Sequence, residues 1–116
     1  MRITEVAEIL DANILCCEDK LDKEVKSAFG ADLMSDVLAF INEDTLLLTG
    51  LVNQHVIRTA EMLEVRCIVF VRGKPVPKDI LDLAVEQGVV LLSTDKTLYI
   101  CCGMLYAAGL PGCIRR

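Results

Sequence analysis

From Thr45 onward the chain runs through one pattern three times: a short apolar run, a polar turn, and a segment with helical periodicity. Thr45-Leu46-Leu47-Leu48-Thr49-Gly50 precedes a helical pattern over 53–64. Cys67-Ile68-Val69-Phe70-Val71 and the turn Arg72-Gly73-Lys74 precede one over 77–87. Val89-Val90-Leu91-Leu92-Ser93 and Thr94-Asp95-Lys96 precede one that ends near Ala108. Apolar runs without alternation suit strands covered on both faces, and strand–turn–helix units in series imply a parallel sheet. The units start about 22 residues apart, but their residues do not match, so the recurrence is structural. These features predict an α/β protein: a three-layer α/β/α sandwich with a mostly parallel central sheet. Right-handed crossovers are expected, and covering both sheet faces is expected to require a reversal of strand order.

Upstream, Ile3 to about Ala12 reads as a helix, with Val6, Ile9 and Leu10 inward and Thr4 as its cap. Asn13 to Cys17 reads as a strand, and Glu18 to Glu24 as a charged surface connection. Val25-Lys26-Ser27-Ala28-Phe29 alternates as an edge strand would, and Gly30 ends it. A short helix starting at Asp32 or Ser35 is expected to turn Leu33, Val37, Leu38 and Ile41 inward. In the later helices, Asn53 is an N-cap, Pro75 and Pro77 open the second helix, and Gly88 stops it.

The 116 residues suffice for one core, so 1–116 is read as a single domain. Aromatic residues make up only 4% of the chain, so that core is aliphatic. The net charge of −5 repels a phosphate backbone and argues against a general nucleic-acid partner. Glu5 and Glu8 within a helical pattern exclude a secretory signal from the N-terminus. The uncharged stretch from Thr97 to Ile114 is interrupted by Gly103, Gly109, Pro111 and Gly112. Its helical part would span roughly 20 Å, against the roughly 30 Å of a hydrocarbon core, so no membrane partner is expected. A cytoplasmic location follows from the same features. Six cysteines, among them the neighbours Cys16-Cys17 and Cys101-Cys102, lack C-x2-C spacing and read as reduced, small buried hydrophobes. A redox or metal-linked accessory role for them is the alternative. His55, the single histidine, reads as an exposed helical residue, and no metal or other cofactor is implied.

In parallel α/β sheets ligands gather at the carboxyl ends of the strands. Thr49, Gly50 and Asn53, then Arg72, Gly73 and Lys74, then Ser93, Thr94 and Thr97 should therefore lie along one edge. They join hydroxyls, glycines, cations and helix starts, which suits a small anion or nucleotide. The same residue types serve as helix caps and turns. No Walker loop, G-x-G-x-x-G, G-x-S-x-G or spaced Cys–His pair is present, so no enzymatic activity is expected. The final helix is apolar nearly all round: Leu98, Tyr99, Ile100, Cys101, Cys102, Met104, Leu105, Tyr106. A helix of that kind is deep in a core or against a partner, and a homodimer is the expected partner arrangement.

The blocks Leu33-Met34-Ser35-Asp36-Val37-Leu38-Ala39-Phe40, Leu47-Leu48-Thr49-Gly50 and Val56-Ile57-Arg58-Thr59-Ala60-Glu61-Met62 resemble the DRTGG domain family. So do Ile68-Val69-Phe70-Val71-Arg72-Gly73 and Leu91-Leu92-Ser93-Thr94 with Thr97, over roughly Ile3 to Leu110. The family's Asp-Arg pair is replaced by Leu51-Val52-Asn53-Gln54, and of its Thr-Gly-Gly only a glycine survives in Val71-Arg72-Gly73. The resemblance implies a fold similar to the N-terminal domain of HPr kinase and a regulatory or spacer role. Such domains accompany phosphate acetyltransferases and CBS-containing pyrophosphatases, whose chemistry lies elsewhere, and they are often dimeric. Stand-alone members resemble accessory proteins of anaerobes, some encoded near iron-only hydrogenase subunits. The resulting reading is a non-catalytic regulatory module, homodimeric and acting through contacts with a protein partner it does not name. Its alternatives are a sensor of a small anion or nucleotide at the strand ends, and a cysteine-based accessory protein.

Overall fold

A computed structural model describes residues 1–113; Ile114, the end of the uncharged stretch, lies outside the described residues. The elements run α1 (Ile3–Leu10), β1 (Asn13–Cys16), β2 (Ser27–Gly30), α2 (Met34–Phe40), β3 (Thr45–Thr49), α3 (Gln54–Met62), β4 (Cys67–Phe70), α4 (Lys78–Gln87), β5 (Val90–Ser93) and α5 (Leu98–Ala107), with a single 3-10 turn at Glu18–Lys20. The five strands form one sheet in the order β1-β5-β4-β3-β2. β2 through β5 are parallel, and β1 is added antiparallel beside β5.

Helices cover both faces, as the pattern predicts, but without the expected reversal of strand order. β2, β3, β4 and β5 follow one another across the sheet in chain order. Successive crossovers that step in one direction with one handedness must use the same face. Accordingly α2, α3 and α4 pack together over Leu47, Ile68, Phe70 and Leu91. The opposite face is covered by α1 and α5, which precede and follow the crossovers. All five residues of β3 are buried; Leu46 and Leu48 belong to the α1/α5 layer and Leu47 to the other. Burying each such leucine contributes about 1.5–3 kcal/mol. The lone outer edge of β2 is partly closed, because Ala28 N–H donates to Pro111 O (3.0 Å) and Cys113 N–H to Ala28 O (2.9 Å).

Two local expectations are corrected. Thr4 does not cap α1: the Glu5 carboxylate accepts from the Arg2 N–H at 3.0 Å, with Arg2 in the capping position. In α2 the inward stripe is Met34, Val37 and Ile41, whereas Leu33 is 61% exposed and Leu38 39%. Leu33 precedes the helix in extended conformation, so the first turn presents Met34 instead, and Leu38 sits about 100° around from Val37. Elsewhere Asn53 caps α3, accepting from Val56 N–H at 3.0 Å, and Gly88 ends α4 at φ +71°. The sequence segment 18–24, expected as a charged connection, carries the 3-10 turn.

Candidate functional site

Because β2 to β5 run parallel, their carboxyl ends share one rim. The backbone ties that rim together: Val71 N–H donates to Thr49 O (3.1 Å), Thr94 N–H to Phe70 O (3.0 Å), Gly73 N–H to Thr94 O (3.0 Å) and Arg72 N–H to Lys96 O (2.9 Å). Thr49, Gly50, Arg72, Gly73, Lys74, Ser93 and Thr94 are thus brought to one edge. Arg72 at φ +69° and Gly73 at φ +65° make the left-handed turn that leaves β4. At Gly73 the conformation favours glycine, and a Cβ there would also meet Asp95 Oδ1 at 2.7 Å.

The rim resolves into two clusters. The first surrounds Asp32, in the loop between β2 and α2. One of its carboxylate oxygens accepts from Gly50 N–H at 2.7 Å and from the Thr49 hydroxyl at 3.1 Å. The other lies 3.6 Å from Nη2 of Arg72. The Arg72 guanidinium lies over Gly50, in the space a Cβ would occupy. Lys74 Nζ donates to Gly50 O at 2.7 Å. Two cations, a backbone N–H and a hydroxyl therefore converge at the end of β3, and an internal carboxylate sits among them. The second cluster faces the carboxyl end of α1. The Lys96 ammonium donates to Leu10 O at 2.9 Å and the buried Thr94 hydroxyl does so at 3.3 Å. Cations at a helix carboxyl end offset its partial negative charge.

The other candidates serve local structure. Asn53 is occupied as the α3 cap. Thr97 occupies the N-cap position of α5 with no side-chain cap bond, its carbonyl accepting from Cys101 N–H at 3.0 Å. Ser93 ends β5, paired with Phe70 on one side and Asn13 on the other. The residue that sequence reasoning missed is Asp32, which reads there as a helix-starting aspartate. Its partners lie 17 and 18 residues ahead, on another strand, so no local spacing marks them.

The cysteines are dispersed. Cys16, Cys67 and Cys101 are buried, and Cys17, Cys102 and Cys113 are half-buried. Among the described residues no three His, Cys, Asp or Glu side chains are grouped to hold a metal ion. Burial pushes the Cys16 thiol up to about 11, and burial likewise raises Cys67, Cys101 and Cys102. His55 is exposed in the first turn of α3.

On the outer surface, α5 buries Cys101 and Leu105 but turns Tyr99 (88% exposed), Ile100 (49%) and Tyr106 (72%) outward. These three residues, with Gly103, Met104 and Ala107, line a shallow groove of about 610 Å³. Among the described residues no helix is long and apolar enough to cross a membrane.

The sequence profile of the DRTGG domain matches residues 5–107, most of the chain. A crystal structure of the CBS and DRTGG domains from the regulatory region of Clostridium perfringens pyrophosphatase, complexed with its activator diadenosine tetraphosphate, is similar in fold, with a TM-score of 0.73 at 16% identity. The similarity covers 95% of this chain and 47% of that one, so the chain spans about half the length of that solved chain. None of the curated proteins gives a significant match.

Proposed function

Because the chain belongs to the DRTGG domain family, we propose that it is a non-catalytic regulatory module of the cytoplasm, a single domain that works as a homodimer through protein contacts. The observation that carries this reading is the outward face of α5. Tyr99, Ile100 and Tyr106 are large, apolar and exposed on one helix. Contiguous apolar surface of this kind marks interaction sites, and tyrosines bring large contact area at low entropic cost. Two copies can satisfy each other through the same patch, which is the self-complementary arrangement of a two-fold dimer. Sedimentation velocity tests it. The protein should run as a dimer at micromolar concentration, and the Ile100→Glu/Tyr106→Glu variant as a monomer with unchanged circular dichroism. A parent protein that stays monomeric at high micromolar concentration removes the reading.

A second reading has its own observation. At the end of β3 the Gly50 N–H, the Thr49 hydroxyl and the Arg72 guanidinium address one carboxylate, and Lys74 stands beside them. Donors that converge on a carboxylate also suit a phosphate. The rim comprising Thr49, Gly50, Asn53, Arg72, Gly73, Lys74, Ser93, Thr94 and Thr97 would then sense a small anion or nucleotide that displaces Asp32. That the regulatory region of the similar pyrophosphatase takes a dinucleotide activator is in keeping with it. Nucleotide titration should shift the amides of Gly50, Gly73 and Thr94, and should do so at lower concentration in Asp32→Ala. Unmoved amides at millimolar nucleotide leave those residues with capping and turning alone.

A further inference from the structure

The opposite end of the sheet, where β4 and β5 begin, carries a recess of about 180 Å³ lined by Ile3, Lys20, Lys23, Arg66, Gly88 and Val90. Three of its six lining residues are cations and none is an acid, in a chain whose net charge is −5. Its floor is apolar, since Ile3 and Val90 are fully buried. The volume equals that of about six waters at ~30 Å³ each, enough for an anion of several heavy atoms.

Backbone hydrogen bonds place the residues that carry these cations around the recess, Arg66 through its carbonyl, which accepts from Val90 N–H at 2.9 Å. Ile3 N–H donates to Lys23 O (2.9 Å) and Thr4 N–H to Leu21 O (3.0 Å), which pins the 18–23 segment to the start of α1. The Lys20 ammonium lies over Gly88, with Nζ 2.6 Å from the place a Cβ would occupy. That contact sets one positive charge at the carboxyl end of α4, where it offsets the helix dipole. One cation suffices for that purpose, and two more remain. Among the described residues neither Lys20 nor Lys23 pairs with a carboxylate. Arg66 meets Asp44 through Nη1 alone at 3.4 Å, which leaves donors of its five free for another acceptor. Like charges around a low-dielectric floor repel one another, and an anion between them relieves that cost.

We propose that this recess is a binding site for a small oxyanion of two or more negative charges, of the phosphate or pyrophosphate class. The ammonium groups of Lys20 and Lys23 and the guanidinium of Arg66 supply its charge-assisted hydrogen bonds. The site stands at the amino ends of the strands, away from the rim, and does not rest on the proposed function.

Isothermal titration of the full chain with orthophosphate and with pyrophosphate, at fixed ionic strength, tests it. Saturable binding is expected, tighter for pyrophosphate, with a rise in melting temperature. Lys23→Gln, an exposed position that contributes no described side-chain bond, should weaken binding several-fold. Lys20→Gln/Lys23→Gln should weaken it at least about tenfold, while Arg58→Gln, at an exposed position of α3 outside both the recess and the rim, leaves it unchanged. Absence of saturable binding at millimolar anion overturns the proposal. So does an affinity that Lys23→Gln leaves intact, or one that Arg58→Gln abolishes. If the double variant fails to fold, the single variant and the α3 control still decide.

Discussion

At the level of single residues, Asp32 illustrates how burial and exposure weigh differently on two contacts of one carboxylate. Its ion pair with Arg72 joins side chains that are 49% and 45% exposed, at 3.6 Å. Such pairs contribute at most ~1 kcal/mol. Its bond from Gly50 N–H is shorter, at 2.7 Å, and Gly50 is buried at the end of a fully buried strand. Removing the acceptor leaves that N–H and the Thr49 hydroxyl without it, a cost of about 1–3 kcal/mol. Asp32→Ala should therefore lower stability by about 1–2 kcal/mol, and Arg72→Gln by less, at most about 1 kcal/mol. Urea unfolding midpoints at constant m compare the two; equal losses would mean that the ion pair, and not the N–H bond, fixes the end of β3. This residue also marks where the site was illegible. The glycines, hydroxyls and cations of the rim follow from turn chemistry and could be read along the chain. The carboxylate that engages them sits on a loop beyond a neighbouring strand, and tertiary pairing alone brings it there.

Among the elements, the central strands were legible because burial on both faces leaves a continuous apolar run, as in Leu46-Leu47-Leu48. Short peripheral elements were less so. α2 is only seven residues long, and in two turns the hydrophobic stripe can be drawn through Leu33 or through Met34 with nearly equal periodicity. The loop that carries Asp32 decides between them by delaying the helix start, which turns Met34 into the core and leaves Leu33 outside. Met34 is 5% exposed and Leu33 61%. Met34→Ala should accordingly cost about 2–4 kcal/mol, and Leu33→Ala should stay within about 0.5 kcal/mol. Thermal or chemical unfolding measures both; a larger loss at Leu33 would restore the register read from periodicity. The α1 cap was missed for a related reason. Thr4 has the preferred cap chemistry, but Ile3 and Thr4 N–H bond to Lys23 and Leu21 carbonyls, which draws the first turn back to Arg2.

In the molecule as a whole, the expectation that strand order must reverse failed because it counted only crossover helices. The chain covers the second face with the helices that lie outside the crossovers, so a sheet with sequential parallel strands still becomes a sandwich. Each layer then contains a buried thiol: Cys67 and Cys101 under α1 and α5, Cys16 under α2 to α4. These thiols couple the stability of the entire fold to alkaline pH. Burial raises the Cys16 thiol from 9.0 to about 11 and raises Cys67 as well. Between those values the unfolded chain releases protons that the folded chain retains. The unfolded state thus binds fewer protons, so unfolding becomes easier as pH rises. The stability these protonated thiols contribute is fully present below pH 9.0 and is lost on climbing toward 11, at a limiting slope of about 1.4 kcal/mol per pH unit for each group. The melting temperature should fall across that range. Cys16→Ala and Cys67→Ala, whatever their offset at neutral pH, should each fall less steeply than the parent. Slopes are compared rather than absolute values because every other ionisable group is common to all three proteins. Parallel curves would mean that the thiols ionise in the folded state as they do in the unfolded one, and that neither layer holds them in a dry interior.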